Sequence, residues 1–206
     1  QRKATAMIAA VIATQNPVAR DLRYLLTLDH VSYELERMGD HAGSVAKQAR
    51  KLAPYPPLKD YVLLPQLGER VADLVQGIIR ALVDVDENRA REVAKLDDDV
   101  DALYHRIFDD VLGLMRDDPA NVEPGTRILF AAHYLERIGD LAVSIAERAR
   151  ELSTLVKPRL DFDLQGMAEN AQRMVARSLD ALINHDGKLA REIWISDDDM
   201  DQRNRD

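Results

Sequence analysis

Cysteine is absent from this chain of 206 residues, which excludes disulfide bridges, thiolate metal ligands and a cysteine nucleophile. Aromatic residues make up only 5% of the chain, against 46% for all apolar residues together. A core of this kind consists mainly of leucine, isoleucine, valine and alanine, which suits packed helices better than sheets. No apolar run approaches the roughly 18 residues that cross a bilayer, and no signal peptide is visible. We therefore expect a helical, cytoplasmic protein without direct membrane insertion.

Acidic residues outnumber basic ones, which gives a formal net charge of −8. Charge of this sign disfavours binding to nucleic acid and to anionic membrane surfaces. The chain begins at Gln1 rather than at a methionine, and this start lies inside a helical pattern. We therefore expect the true start to be missing, so that the chain is a fragment, has further stretches or is permuted.

An internal repeat with a period of 100 residues is the most informative feature of the sequence. Residues 35–52 align without a gap with residues 135–152, and eleven of these eighteen positions are identical. Residues 81–101 match residues 181–201 at the same offset. Apolar residues recur at alternating steps of three and four, as in Leu35, Met38 and Ala42. This stripe is typical of antiparallel helical bundles, so the sequence predicts an all-α fold of three-helix bundles in tandem repeat.

Prolines and aspartates divide the pattern into helices and indicate the domain organisation. Residues 66–155 read as a complete three-helix repeat. Residues 1–53 hold the second half of helix two and all of helix three, whereas residues 159–206 hold helix one and the first half of helix two. We expect these two partial repeats to complete one another as a single bundle. The predicted helices span 18–52, 66–84, 87–116, 125–155, 164–184 and 187–206, with Pro54, Pro56, Pro57 and Pro65 in one linker and Pro158 in another.

Carboxylates four residues apart flank the apolar stripe at four places. Residues i and i+4 share one face of a helix, so each pair presents two like charges side by side. Such a pair destabilises a helix by about 0.2–0.5 kcal/mol, and its recurrence calls for compensation. The four pairs are Glu36 with Asp40, Asp97 with Asp101, Glu136 with Asp140, and Asp197 with Asp201.

A cation between two pairs on adjacent helices would provide this compensation. Carboxylates without cysteine suit hard ions such as Mg²⁺, Ca²⁺, Mn²⁺ or iron. His105 continues the flank of Asp97 and Asp101 and is a candidate nitrogen ligand. The alternative is that the acidic faces are merely solvated and are balanced by nearby arginine and lysine.

The remaining histidines are weaker candidates. His41 follows an acidic pair, but Leu141 occupies the equivalent position of the other repeat. His30, His133 and His185 read as ordinary polar positions, and Trp194 is expected in the core or at an interface.

Motifs for catalysis are missing, so we predict no catalytic residues and no enzyme. The sequence shows no Ser–His–Asp constellation, no phosphate-cradling glycine loop and no nucleotide motif. Di-metal oxidases in helical bundles use Glu-x-x-His motifs that point into the core, and this motif does not occur in the chain. A di-metal oxidase is therefore the less favoured alternative.

The repeated acidic segments carry a family resemblance. LERMGDHAGSVAKQA at 35–49 and YLERIGDLAVSIAE at 134–147 resemble the signature of the PhoU family, in which each three-helix repeat carries an acidic motif of this spacing. Residues 15–26 resemble the segment before that motif, and residues 90–108 resemble the family's second helix. The resemblance covers nearly the whole chain. The order of the pieces differs, because a standard member has two complete repeats that begin with helix one.

The resemblance implies a regulatory role and a set of ligands. Members bind multinuclear metal clusters through these carboxylates, regulate a phosphate ABC transporter, and help a membrane histidine kinase to switch off the phosphate-starvation response. They tend to be homodimers. A similar module serving another transporter or a channel is the alternative function. The metal, whether iron, magnesium, manganese, calcium or zinc, would be held by Glu36, Asp40, Asp97, Asp101, Glu136, Asp140, Asp197 and Asp201.

Overall fold

The computed structural model describes residues 2–58, 63–84, 86–153 and 164–203. All regular structure within these ranges is helical, which confirms the predicted all-α fold. None of the described helices is both long enough and apolar enough to cross a membrane. The helices are α1 (Arg2–Gln15), α2 (Ala19–Leu52), α3 (Leu63–Asp84), α4 (Glu87–Ala94), α5 (Asp97–Asp117), a 3-10 turn (Pro119–Asn121), α6 (Val122–Ser153), α7 (Leu164–Ile183) and α8 (Gly187–Arg203).

The apolar stripes read from the sequence face the core. On α2, the stripe that includes Leu35, Met38 and Ala42 is at most 3% exposed. On α6, the equivalent Leu135 and Ile138 are completely buried. Burial of one stripe on each helix is what a period of 3.6 residues requires of a bundle.

The helix predicted over 87–116 is wrong in one respect, because the structure divides it into α4 and α5. The amide of Lys95 donates to the carbonyl oxygens of Glu92 and Val93, and the amide of Leu96 donates to Val93. These tight turns end α4, and Asp97 then begins α5 with an acidic first turn that the helix dipole favours. In the other repeat, α8 runs through the matching segment without a break.

The prediction that Pro65 lies in a linker is also wrong. Pro65 is the third residue of α3, and Pro124 likewise is the third residue of α6. Proline is tolerated in the first turn of a helix because the amide there has no partner within the helix.

Two groups of helices meet through α2 and α6. α6 packs against α3, α4 and α5, whereas α2 packs against α7 and α8 of the same chain. α2 and α6 run antiparallel, since His30 lies beside Ser144 and His41 lies beside Tyr134. One hydrophobic core runs through both groups, so the division at 1–53, 66–155 and 159–206 stays a prediction.

α1 lies apart from this core. A second cluster of Ile8, Leu25 and Leu28 holds it against the start of α2. The Thr5 hydroxyl also donates a hydrogen bond of 2.8 Å to Asp29.

The contact between α2 and α8 includes the only tryptophan of the sequence. The Arg50 guanidinium lies 4.6 Å from the centre of the Trp194 ring, within the range of a cation–π contact. Arg150, which corresponds to Arg50 in the other repeat, instead forms an ion pair of 3.7 Å with Glu87 at the start of α4. Trp194 therefore lies at an interface, as predicted.

Candidate metal centre

The α5–α6 hairpin brings two of the four predicted carboxylate pairs together. We call Asp97, Asp101, Glu136 and Asp140 the carboxylate cluster. Burial and the negative charges of Asp101, Asp140 and Glu136 raise the pKa of Asp97 to about 6. Asp101 acts on Asp97 from the same helix, and Asp140 and Glu136 act on it from α6, so the four carboxylates form one electrostatic unit.

Two oxygens of the carboxylate cluster have no hydrogen-bond donor. Asp97 Oδ1 and Glu136 Oε2 are buried, and neither has a hydrogen-bond partner among the residues that the structure describes. A buried polar atom without a partner costs about 1–3 kcal/mol, and more when it is charged. Burial, and then the charge of Asp140, also raise the pKa of Glu136, while Arg137 lowers it. The donor set therefore fits a hard cation, which would satisfy both oxygens.

Three basic groups border the cluster. Arg137 donates a hydrogen bond of 2.8 Å to Asp140, and His133 Nδ1 lies 3.6 Å from Glu136 Oε2. His105 Nδ1 lies 3.0 Å from the Asp101 carbonyl oxygen, which can only accept. Nδ1 must therefore carry the proton of a neutral His105, which leaves the lone pair of Nε2 free to bind a metal.

No three acidic or histidine side chains of the described residues converge closely enough to share one metal ion. The ion pair with Arg137 draws Asp140 aside. Metal binding at the carboxylate cluster thus stays a prediction and would require the side chains to rotate inward.

The second predicted site is described only in part. Glu36 and Asp40 lie on α2, and α8, which carries Asp197 and Asp201, packs against α2. The side chains of Asp197 and Asp201 lie outside the described residues, so their approach to α2 stays a prediction. Next to Gly39, the nearest side-chain atom is the Met174 sulfur, 3.5 Å from the position that a Cβ would take.

Two of the weaker histidine candidates have contacts at or next to the cluster. His133 contacts Glu136, and the ring of His41 stacks on Tyr134 at 5.8 Å between centroids. Burial, followed by the charges of Arg37, Arg137 and His133, lowers the pKa of His41. The spacing of His133 three residues before Glu136 was a usable signal, because such residues are neighbours on a helix. The contacts of His41 depend on α6 and had no sequence signal.

Gly139 allows α5 to approach α6 at the cluster. A Cβ at this position would lie 3.1 Å from Asp97 Oδ1 and 3.3 Å from Val100 Cγ1. The absence of a side chain therefore sets how closely the Asp97 carboxylate approaches the α6 backbone.

Replacement of Gly139 by alanine is expected to leave stability nearly unchanged. Alanine favours a helix over glycine by about 1 kcal/mol, but the crowded methyl group offsets this gain. In the control Gly113→Ala, nothing lies within 4 Å of the new methyl group, so a gain of about 0.5–1 kcal/mol is expected. Urea denaturation of the metal-free proteins measures both values. Equal stabilisation by the two changes would contradict the close approach at Gly139.

Comparison with known proteins places most of the chain in one family. The family model described as the PhoU domain matches residues 1–49, 64–149 and 164–206, which is most of the chain. The chain belongs to the PhoU family. The break between α4 and α5 and the carboxylate cluster therefore both lie inside a PhoU domain.

Curated relatives and a solved structure support the same assignment. The "phosphate-specific transport system accessory protein PhoU homolog" of Deinococcus radiodurans is 36% identical over 140 residues, which are 68% of this chain and 66% of the relative. The protein of the same name from Clostridium acetobutylicum is 36% identical over 155 residues, 75% of this chain and 71% of that protein. The crystal structure of the phosphate transport system regulatory protein PhoU from Streptococcus pneumoniae matches with a TM-score of 0.65 and 28% identity, over 74% of this chain and 72% of that one. Parts of each of these proteins thus have no match in this chain.

Proposed function

We propose that this PhoU-family chain is a metal-binding, non-enzymatic regulator of phosphate uptake and of the phosphate-starvation response. It would act in the cytoplasm through protein contacts with a phosphate ABC transporter and a sensor histidine kinase. The family match and the names of the relatives support the link with phosphate transport.

One observation carries the metal-binding part of the proposal. Two buried carboxylate oxygens, Asp97 Oδ1 and Glu136 Oε2, lack a donor inside an acidic cluster. Three features of the cluster suit a cation. The donors are oxygens, burial and neighbouring negative charge raise the pKa of Asp97, and Gly139 lets α5 approach α6 closely.

The carboxylate cluster would hold the ion, with His105 as an additional nitrogen ligand. A bound cation would neutralise the mutual repulsion of four carboxylates and tie α5 to α6. Glu36, Asp40, Asp197 and Asp201 would form the equivalent site between α2 and α8. We propose that the metal serves structure or sensing and that a homodimer is the working unit.

A set of three side chains resembles a hydrolytic triad but does not support catalysis. His30 Nε2 lies 3.2 Å from Glu34 and 3.4 Å from Ser144. In a triad, the serine and the carboxylate contact different ring nitrogens, so that one nitrogen accepts the proton while the other is held. Here both contacts use the same nitrogen, which favours a structural role at the α2–α6 interface.

A complementation experiment tests the proposal. In a strain lacking the gene, a phosphate-starvation reporter is expected to be active at high phosphate and to be repressed again by the intact gene. The variant Glu136→Ala with Asp140→Ala is expected to lose most of the metal held by the α5–α6 site and to restore little repression. Elemental analysis measures the metal in each purified protein.

The control removes two carboxylates with the same spacing from another helix. Glu69 and Asp73 are exposed on α3, so Glu69→Ala with Asp73→Ala is expected to retain both metal and repression. Unchanged metal in the Glu136/Asp140 variant would refute the metal assignment. Full repression by a variant that has lost its metal would show that regulation does not require the metal. A reporter that stays active at high phosphate in the presence of the intact gene would refute the regulatory proposal itself.

A further inference from the structure

An exposed apolar patch lies on the α5–α6 hairpin. Phe108 and Leu112 on α5 are 40% and 37% exposed, and Val122 and Phe130 on α6 are 48% and 45% exposed. We call these four residues the hairpin patch. Phe108 and Leu112 are one helical turn apart, so they present one continuous strip to solvent.

Aromatic rings connect the hairpin patch to the carboxylate cluster. The centre of the Tyr104 ring lies 6.4 Å from that of Phe108 and 6.3 Å from that of His133. His133 in turn lies one turn after Phe130 and contacts Glu136. Apolar and acidic groups therefore form one surface along the hairpin.

The repeat fold does not require apolar residues to be exposed at this position. By the period of 100 residues, Phe108 corresponds to Ile8 of the other repeat. Ile8 is only 5% exposed and packs against Leu25 and Leu28. The neighbouring positions are reversed, since Met7 is 47% exposed and Ile107 is buried, so each repeat exposes one of these two apolar residues and this hairpin exposes the aromatic one.

We propose that the hairpin patch docks a basic amphipathic helix of a partner protein. The apolar face of that helix would cover Phe108, Leu112 and Phe130. Its lysine or arginine side chains would face exposed aspartates of α5 outside the carboxylate cluster, such as Asp109 and Asp110. An apolar groove that accepts one face of a helix is a recurring mode of recognition. The inference rests on the proposed function, because it places the contact through which the regulator acts.

Charge decides which occupant fits the hairpin patch. α5 carries seven aspartates but only two arginines. On α6, Arg127 is paired with Glu123, and Arg137 is paired with Asp140. A second copy of this chain would bring like charges together, and an anionic bilayer would be repelled. A basic helix brings the complementary charge together with apolar side chains.

Fluorescence anisotropy with a defined peptide tests the docking. The probe is a labelled peptide of about 18 leucine and lysine residues in amphipathic helical order, about five turns long. The intact protein is expected to bind it at least tenfold more tightly than a leucine–glutamate peptide of the same order and than a scrambled leucine–lysine peptide. Phe108→Ser with Phe130→Ser is expected to weaken binding at least tenfold.

The matched control removes two exposed apolar side chains elsewhere. Val18 lies just before α2 and is 74% exposed, and Leu26 lies near the start of α2 and is 53% exposed. Val18→Ser with Leu26→Ser is therefore expected to leave binding unchanged. Circular dichroism is used to check that both variants fold.

Several outcomes would overturn the docking proposal. These are absence of binding, equal binding by the intact protein and the patch variant, and equal binding of the scrambled peptide. Two further outcomes would do so. One is that the intact protein sediments as a dimer while the patch variant, unlike the control variant, is a monomer. The other is that the intact protein binds vesicles of anionic lipid and the patch variant alone does not. The patch variant is expected to retain its metal and to fail in the reporter strain. If it represses normally while the Glu136/Asp140 variant does not, the docking inference fails and the proposed function stands.

Discussion

In metal-free protein at pH 8, Asp97→Asn is expected to raise the free energy of unfolding by about 1–2 kcal/mol. The reason is that the ionised carboxylate is partly buried among three other carboxylates, which destabilises the folded state. A shift of the pKa from 3.8 to about 6 corresponds to roughly 3 kcal/mol at most, which we reduce because solvent screens a partly exposed group.

The pH dependence has a definite sign. The pKa of Asp97 is about 6 in the folded protein and close to 3.8 in the unfolded chain. Between these values the folded state binds a proton that the unfolded state does not, so this group makes the protein less stable as pH rises through the window. The advantage of Asp97→Asn is therefore expected to be complete above pH 6 and to disappear below pH 3.8.

Added Mn²⁺ is expected to reverse this order. A ligand at about 1,000 times its dissociation constant stabilises the folded state by about 4 kcal/mol, and an asparagine in place of Asp97 weakens that binding. The intact protein should then be the more stable of the two at pH 8. Because protons compete for the carboxylate, the stabilisation by Mn²⁺ should decline below pH 6.

Urea denaturation with EDTA or with Mn²⁺, at several pH values, measures these effects. Asp73→Asn on α3 is the control, since it removes one exposed carboxylate that is not part of the carboxylate cluster. Equal effects of Asp97→Asn and Asp73→Asn on the free energy of unfolding in EDTA would contradict the destabilisation assigned to the ionised Asp97. Equal stabilisation of both variants by Mn²⁺ would contradict a role for Asp97 as a ligand.

Ile138→Ala is expected to destabilise the protein by about 2–5 kcal/mol, because the change leaves a cavity in a close-packed core. Ile138 is completely buried on α6, directly between Arg137 and Gly139 of the metal-site segment. Its loss should therefore loosen the backbone that carries Glu136 and Asp140, in addition to the global effect.

Ile183→Ala is the matched control for this change. Ile183 is 43% exposed at the end of α7, so its truncation should alter the free energy of unfolding by less than about 1 kcal/mol. Urea denaturation in EDTA separates the core effect from metal binding. A cost below that of Ile183→Ala would show that the α6 stripe is not packed as described.

The sequence by itself determined the helices, the repeat and the candidate ligands. Leu135 and Ile138 could be assigned to the core because helical periodicity is a local property. The four acidic pairs could be recognised for the same reason, since residues four apart share a helix face. The sequence did not predict the break between α4 and α5, because the apolar spacing of Val93, Leu96 and Val100 is the same for a continuous helix as for one interrupted by a tight turn.

Only the tertiary structure decided which groups meet across helices. The raised pKa of Asp97, the unpartnered oxygen of Glu136 and the contact of His41 with Tyr134 depend on how closely one helix approaches another. The exposure of Phe108 likewise depends on the orientation of α5 against its neighbours, since the equivalent Ile8 is buried. Such distances are set by packing over the whole core, which fixes helix orientation through many weak contacts that no local sequence pattern encodes.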